Sequence, residues 1–254
     1  SDWLGQAAAR RRGPLARPAL GARMPRSMAS VADALSGGGD ESFRLSMFFE
    51  AMQSNLEQHM PLVPHLLPSA AVAALEAGIA SCPEAVAEKA ADRWEGHCAP
   101  EQLRFLQHFM ASRFEGRTAP LRMCQIGFNA GHSAVALLEG APPGSILLSL
   151  DLDSHIYTRP CERIVAALAE ERGCKHVFLV GDSAEMLPRF RHIPFDLVFI
   201  DGNHKYEAVA MDLWNCLQLA SSETVILVNH IYTDMDEGVG PTRAWQDAVQ
   251  AGHA

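Results

Sequence analysis

The chain has 254 residues, 48% of them apolar, and its 21 basic and 30 acidic side chains give a formal net charge of −9. This length is enough for one large domain with a buried core, and the acidic balance argues against a general nucleic-acid binder, because neutralising phosphates needs a basic surface. The nearest candidate for a membrane span, residues 59–75, is interrupted by three prolines, so the sequence predicts no transmembrane helix.

The first residues are basic although the chain as a whole is acidic. Residues 1–30 hold six arginines and a single acid, Asp2, which gives this segment a local charge of +5. Such a composition is typical of a mitochondrial or plastid transit peptide, and a disordered tail or a fragment boundary would fit it equally well. We therefore predict a disordered basic segment over residues 1–40, and a location that is cytoplasmic, or organellar if this segment is a targeting peptide.

Residues 41–115 show helical periodicity and no strand signal. Leu45, Phe48 and Met52 recur at helical spacing, as do Leu106, Phe109 and other apolar residues further on. The sequence predicts a helical cap over residues 41–115. The six cysteines are scattered without a CxxC pair, which favours buried thiols in a reducing compartment over a zinc or disulfide framework.

From residue 121 onward, short apolar runs alternate with helical patterns. Strands that are apolar throughout are buried on both faces, and regular strand–helix alternation indicates a parallel sheet. The sequence therefore predicts a doubly wound, mostly parallel, Rossmann-like α/β domain over residues 116–254. The chain after the fifth run is long enough for one helix, Thr242 to Gln250, but not for two further strands. The predicted strands are Leu121–Gly127, Ile146–Leu150, His176–Val180, Phe195–Ile200 and Thr224–Val228.

The ends of the first three predicted strands carry residues suited to holding a ligand, and ligands bind beyond the carboxyl ends of such strands. Gly127 and Gly131 allow a tight turn after the first strand, in a spacing that is not the GxGxxG of dinucleotide sites. Asp151 ends the second strand, where a carboxylate can accept hydrogen bonds from ribose hydroxyls or cap a helix. Asp182 and Ser183 follow the third strand, and either cap the next helix or face an adenine amino group.

The fourth strand ends in the strongest motif of the chain, Asp201-Gly202-Asn203-His204-Lys205-Tyr206-Glu207, and the fifth ends in Asn229-His230. A lone histidine is more often structural than catalytic. Two histidines at adjacent strand ends beside an aspartate favour a catalytic site.

Taken in chain order, these motifs resemble those of class I S-adenosylmethionine-dependent methyltransferases. The resemblance is greatest to the small-molecule group that has a DGxHxYE motif after the fourth strand, and it covers roughly residues 100–254, including Val239–Trp245. It implies that the cofactor is S-adenosylmethionine and that the acceptor is a small molecule. It also implies that this chain lacks the last two strands usual in the class.

The resemblance also implies roles for individual residues. Asp201 would lie near the sulfonium and amino group of the cofactor, and His204 would lie on the acceptor side as the first candidate for a general base, because an imidazole titrates near working pH. Asp201 and His230 are the other two catalytic candidates. Gln125 and Asn229 stand where the family often has acids. The predicted cofactor-binding residues are Gly127, Phe128, Asn129, Gly131, Ser133, Asp151, Asp182, Ser183 and Asp201.

Other functions remain open on the sequence alone. Related catechol-type enzymes bind a divalent cation at the ends of the fourth and fifth strands, where this chain has Asp201, Asn229 and His230. A hard cation such as magnesium prefers more carboxylates than one, so a metal is possible but not favoured. A cofactor-binding fold without catalysis and an NAD-linked oxidoreductase are the further alternatives. We expect no nucleic-acid or membrane partner, and a homo-oligomer that covers the sheet edge remains open.

Overall fold

The structure, a computed structural model, describes residues 69–232 and 235–252 of the chain. The predicted basic segment 1–40 and the first part of the predicted helical cap, residues 41–68, lie outside the described residues. In chain order the described elements are α1 (Ala70–Ser81), α2 (Pro83–Ala90), α3 (Pro100–Arg113), β1 (Arg122–Ile126), α4 (His132–Glu139), β2 (Ile146–Asp151), α5 (Thr158–Glu171), β3 (Lys175–Val180), α6 (Ser183–Met186), a 3₁₀ helix (Leu187–Phe190), β4 (Leu197–Ile200), α7 (Tyr206–Leu219), β5 (Val225–Val228) and α8 (Asp236–Gln250).

The five strands form one parallel sheet in the order β3-β2-β1-β4-β5. This sheet confirms the predicted doubly wound fold. The chain builds outward from β1 to β3 and then crosses back to β4, so the order reverses between β1 and β4. In the register of these two strands, Ile126 pairs with Ile200. The loops that follow them, which begin at Gly127 and Asp201, therefore start side by side.

Helices cover both faces of the sheet, which explains why the strands are apolar throughout. Met123 of β1 packs into a core formed with α1, α3, α4 and α5, whereas the next residue, Cys124, packs into a second core with α7 and α8. Every residue of β4 and β5 is buried. All six cysteines lie in the described residues as free thiols, and five of them are buried.

Three helices precede the sheet and pack on its first face. The Ser69 hydroxyl caps α1 by accepting a hydrogen bond from the Val72 amide, and α2 and α3 each begin with a proline at a position where no amide donor is needed. α1 contacts α4 and α5, and α3 contacts α4.

No single helix in the described residues is long and apolar enough to cross a membrane; α1 and α2 reach that length only together, and the chain bends by 73° between them.

The last helix is longer than the sequence indicates. Thr242–Gln250 is the predicted helix, whereas α8 begins at Asp236 and contains Pro241 in its interior. Glycine and proline have low helix propensity, which is why Gly238, Gly240 and Pro241 argue for a loop in the sequence. Here close packing against the neighbouring loops outweighs propensity.

Candidate active site

The loops after β1 and β4 are pressed against each other at the point where the strand order reverses. The Asp201 amide donates to the Ile126 carbonyl at 2.9 Å, and the Gly127 amide donates to the Leu150 carbonyl at 2.8 Å. Gly127 has a φ of +85°, and a Cβ placed on it would lie 2.0 Å from the carbonyl oxygen of Asp201. Only glycine fits this position, and its absence of a side chain brings the glycine loop, residues 127–131, against Asp201.

Asp151, at the end of β2, holds the glycine loop in shape. Its Oδ2 accepts from the amides of Phe128 at 2.8 Å and Asn129 at 3.0 Å, and its Oδ1 accepts from the amide of Asp153 at 2.7 Å. A carboxylate has about four acceptor positions, so these three bonds leave room for a further donor. Its predicted contact with a ribose stays a prediction.

Asn129 connects the glycine loop to the rest of the molecule. Its backbone is left-handed, with a φ of +50°, which asparagine tolerates better than most residues. Its Oδ1 accepts from the Tyr157 hydroxyl at 2.8 Å, and its Nδ2 donates to the Glu95 carbonyl at 3.2 Å. The segment between α2 and α3 is thereby tied to the glycine loop.

Two of the predicted cofactor-binding residues turn their side chains into the interior. Phe128 is 2% exposed, and its ring stacks on His176 at 5.3 Å between centroids. Ser133 is buried, and its Oγ accepts from Nε2 of Gln125, which also donates to the Gly127 carbonyl. In this structure Phe128 and Ser133 can therefore reach a ligand only through their backbone, and Gln125, which stands in place of an acid, supports the loop from below.

The remaining predicted cofactor-binding residues are helix-terminal in the structure. Gly131 is the residue before α4, with a φ of +88°. Asp182 caps α6, because its Oδ1 accepts from the Ala184 amide at 2.9 Å. Ser183 is the first residue of α6 and lies beside the buried carboxyl of Asp212 on α7. The capping interpretation of Asp182 is thus observed, and its second oxygen remains free to accept from a ligand.

Asp201, His204 and His230 converge at the carboxyl ends of β4 and β5. Oδ1 of Asp201 lies 3.7 Å from Nε2 of His204 and 3.4 Å from Nε2 of His230, and the imidazole centroids are 4.0 Å apart. Asn229 donates its Nδ2 to the same oxygen at 2.8 Å. Burial raises the pKa of Asp201, but the hydrogen bonds from His204, His230 and Asn229 outweigh burial and hold the pKa below its usual value. Asp201 is therefore an anion at neutral pH.

Neighbouring residues hold the histidines in place. Nδ1 of His230 lies 2.6 Å from the Tyr232 hydroxyl, so the phenol can donate to Nδ1 while the Nε2 proton faces Asp201. Gly240 of α8 packs against the backbone of His204, and a Cβ there would lie 2.1 Å from the His204 carbonyl oxygen. Thr242 donates its hydroxyl to the Tyr232 carbonyl at 2.9 Å. The last helix thus fixes both loops of the site.

Sequence reasoning did not identify the residues of the segment between α2 and α3. Gly96 lies against Ala130 of the glycine loop, and Cys98 lies near enough to Asp201 for its charge to act on the thiol. Burial, Asp201 and Glu76 together raise the pKa of Cys98 to about 12. No motif marks these residues, because the contacts that bring them to the site span more than 30 positions of the chain.

Comparison with known proteins agrees with this geometry. Residues 124–231 match the family model described as a methyltransferase domain. No curated protein matches the chain by sequence.

Solved structures of methyltransferases share the fold. An O-methyltransferase from Bacillus cereus in complex with SAH superposes with a TM-score of 0.53 at 18% identity, covering 75% of this chain and 82% of that one. The O-methyltransferase TomG from Streptomyces achromogenes, in complex with SAM, has a TM-score of 0.51 at 23% identity and covers 70% of this chain and 78% of its own. An SAH-bound methyltransferase from Podospora anserina has a TM-score of 0.51 at 18% identity, with 82% and 87% covered.

At these identities the superpositions establish the fold, and the family model adds the type of domain. Residues 124–231 therefore match a methyltransferase domain, and the described part of the chain has the fold of these solved methyltransferases.

Proposed function

We propose that this methyltransferase moves the methyl group of S-adenosylmethionine to a hydroxyl oxygen of a small molecule, with His204 as the general base. The observation that carries the proposal is the convergence of Asp201, His204 and His230 beside the glycine loop. The cofactor would lie along Gly127–Gly131, with its ribose at Asp151 and its adenine towards Asp182 and Ser183. In this arrangement the sulfonium would lie beside Asp201.

Methyl transfer from a sulfonium is an in-line displacement, so the protein mainly has to align nucleophile, methyl carbon and sulfur. A hydroxyl acceptor also has to lose a proton, which a nearby imidazole can take. His204 is 34% exposed at its side chain, and with the proton on Nε2 facing Asp201, its Nδ1 is the basic nitrogen. The anionic Asp201 would then stabilise the imidazolium that forms. An acceptor nitrogen would need less help from a base.

A second candidate is metal-dependent O-methylation at the same residues. One ligand atom from each of Asp201, His204 and His230 lies within 4.8 Å of the others. This geometric cluster differs from the predicted set of Asp201, Asn229 and His230, because the amide nitrogen of Asn229 faces Asp201. One carboxylate and two imidazoles fit Mn²⁺, Fe²⁺ or Zn²⁺ better than Mg²⁺. A bound ion would acidify the acceptor hydroxyl, and His204 would be a ligand instead of a base.

Isothermal titration tests the cofactor assignment. We expect S-adenosylmethionine and S-adenosylhomocysteine to bind and NAD to show no heat of binding. Binding of NAD in place of S-adenosylmethionine would favour the oxidoreductase alternative, and binding of neither would contradict the proposal.

A chelator separates the base from the metal ligand. Turnover is followed as release of S-adenosylhomocysteine with a panel of hydroxylated acceptors, before and after treatment with EDTA. Full activity after EDTA, with a His204→Ala variant strongly impaired, supports His204 as the base. Loss of activity that Mn²⁺ or Zn²⁺ restores supports the metal and contradicts the role of His204 as base.

A further inference from the structure

An open cleft lies between the helices before the sheet and the start of α4. It encloses about 360 Å³, within the range of small-molecule sites. Glu76 of α1 and Lys89 of α2 line two sides, the segment between α2 and α3 contributes Asp92 and Cys98, and His132 closes the base. None of these residues has a part in the cofactor site proposed above.

The cleft borders the glycine loop, along which the cofactor is proposed to lie. His132 directly follows Gly131, so the base of the cleft is the continuation of the glycine loop. Cys98 lies in the cleft wall and also near Asp201. Gly96, which also lines the cleft, lies against Ala130 of the glycine loop, so a molecule bound in the cleft would lie beside that loop.

The lining of the cleft is polar and carries an excess of negative charge. Glu76 is exposed and has only one oxygen engaged, Oε1, which contacts Nε2 of His132 at 2.5 Å. The ammonium of Lys89 lies over the Trp94 ring at 4.5 Å from its centroid. The Trp94 ring also packs against the Tyr157 ring, at 4.3 Å between centroids and an interplanar angle of 40°. Glu76 and Asp92 thus contribute two carboxylates to the lining against the single ammonium of Lys89, and the Trp94 ring is already in contact with Lys89 and Tyr157.

We infer that this cleft binds the methyl acceptor, and that the acceptor is a polyhydroxylated small molecule that is neutral or cationic. Free carboxylate oxygens of Glu76 and Asp92 accept hydrogen bonds from hydroxyl or ammonium groups, whereas they repel a carboxylate or phosphate. A flat apolar acceptor would leave these charged groups without partners. The inference rests on the proposed methyl transfer and names the acceptor class of that site.

Three pyranoses that differ in charge test the inference: glucose, glucosamine and glucuronate. Each is titrated calorimetrically into the protein saturated with S-adenosylhomocysteine, and catechol serves as the flat aromatic probe. We expect glucosamine and glucose to bind, and glucuronate and catechol to bind at least tenfold more weakly. Equal or tighter binding of glucuronate or catechol would overturn the inference.

Substitutions in the cleft then locate the binding. Glu76→Gln keeps an oxygen for His132, and Asp92→Asn suits the left-handed backbone of that residue, whose φ is +54°. We expect each to weaken glucosamine binding by about three- to tenfold, in line with loss of a hydrogen bond to a charged group at a partly exposed site. Affinity for S-adenosylhomocysteine should stay the same. Glu170→Gln, the same chemical change at an exposed position outside the cleft, should alter neither affinity.

The outcomes separate the inference from the function on which it rests. If S-adenosylhomocysteine binds and no pyranose does, or if glucosamine affinity is indifferent to both cleft substitutions, the acceptor class is wrong and the methyltransferase proposal stands. If S-adenosylhomocysteine does not bind to the protein, the proposed function itself fails.

Discussion

A single carboxylate, that of Asp151, satisfies three backbone amides at the edge of the sheet. Two of these amides belong to the glycine loop, which otherwise has few internal hydrogen bonds to define its shape. The residue expected from the sequence to bind a ribose therefore also builds the surface on which a cofactor would lie.

Asp151→Ala should weaken binding of S-adenosylhomocysteine by about 1–3 kcal/mol, because it leaves the Phe128 and Asn129 amides without acceptors and removes a partner for the ribose. Isothermal titration measures the change. Asp153→Ala is the matched control, since that carboxylate pairs with Arg159 at the surface. Unchanged affinity in Asp151→Ala, or an equal loss in Asp153→Ala, would refute the assignment.

At the scale of single residues, sequence spacing predicts the direction of a side chain least well. Phe128 and Ser133 lie within the glycine-loop motif, and that position alone argues for contact with a ligand. Their actual directions depend on β1 and β3, where Gln125 and His176 provide buried partners. The convergence of Asp201, His204 and His230 can be predicted without knowing side-chain directions, since all three follow strand ends that a parallel sheet brings together.

At the scale of elements, α8 acts as a clamp on both histidine loops. Gly238 and Gly240 bring its backbone against Tyr232 and His204, so any side chain at these positions would push a loop away. The sequence predicts all five strands to within two residues at either end, because buried parallel strands have a distinctive apolar pattern. It misplaces the start of α8, because the helix depends on contacts with distant loops.

Gly240→Ala should displace His204 and lower turnover at least tenfold, with a loss of stability of about 1–3 kcal/mol from overpacking. S-adenosylhomocysteine affinity should change little, because Asp151 and Gln125 hold the glycine loop in shape. Chemical denaturation, calorimetry and turnover on the acceptor panel provide the three measurements. Val239→Ala, at a neighbouring position that is 49% exposed, should leave all three near wild type. Wild-type turnover in Gly240→Ala would show that α8 does not position His204.

Across the whole molecule, two buried titratable groups set opposing responses to pH. His176 of β3 is buried against the Phe128 ring, with Nε2 at 2.9 Å from the Ser149 hydroxyl, and Asp212 is buried on α7. Burial lowers the pKa of His176 to about 4 and raises the pKa of Asp212 to about 7, a rise to which Asp182 adds and which the Ser183 hydroxyl reduces. Both groups are therefore neutral in the folded protein at mildly acidic pH.

His176 should make the protein less stable as the pH falls from about 6.5 to 4. In that window the unfolded imidazole binds a proton that the folded one excludes, so the free energy of unfolding decreases by up to about 3 kcal/mol. Urea denaturation at pH 7.5 and pH 5 measures the slope. His176→Gln keeps a partner for Ser149 without titrating, and should show a flatter profile; the wild-type slope in this variant would contradict the assignment.

Asp212 should act in the opposite sense, between about pH 4 and pH 7. The unfolded carboxyl ionises there while the folded one keeps its proton, so its contribution falls as the pH rises, by up to roughly 4 kcal/mol. Asp212→Asn should therefore gain stability over wild type at pH 8 and gain little at pH 5. An equal effect at both pH values would show that the carboxyl is ionised in the folded protein.

Asn129 contacts three separate segments: its backbone amide donates to Asp151, its carboxamide oxygen accepts from Tyr157, and its amide nitrogen donates to the Glu95 carbonyl, between the cleft residues Trp94 and Gly96. Ordering the glycine loop around a cofactor would therefore also order the wall against which an acceptor binds. The free energy of this coupling is reciprocal, so each ligand should raise the affinity of the protein for the other ligand by the same factor. One asparagine side chain would thus make the binding of the two substrates of a bisubstrate enzyme cooperative.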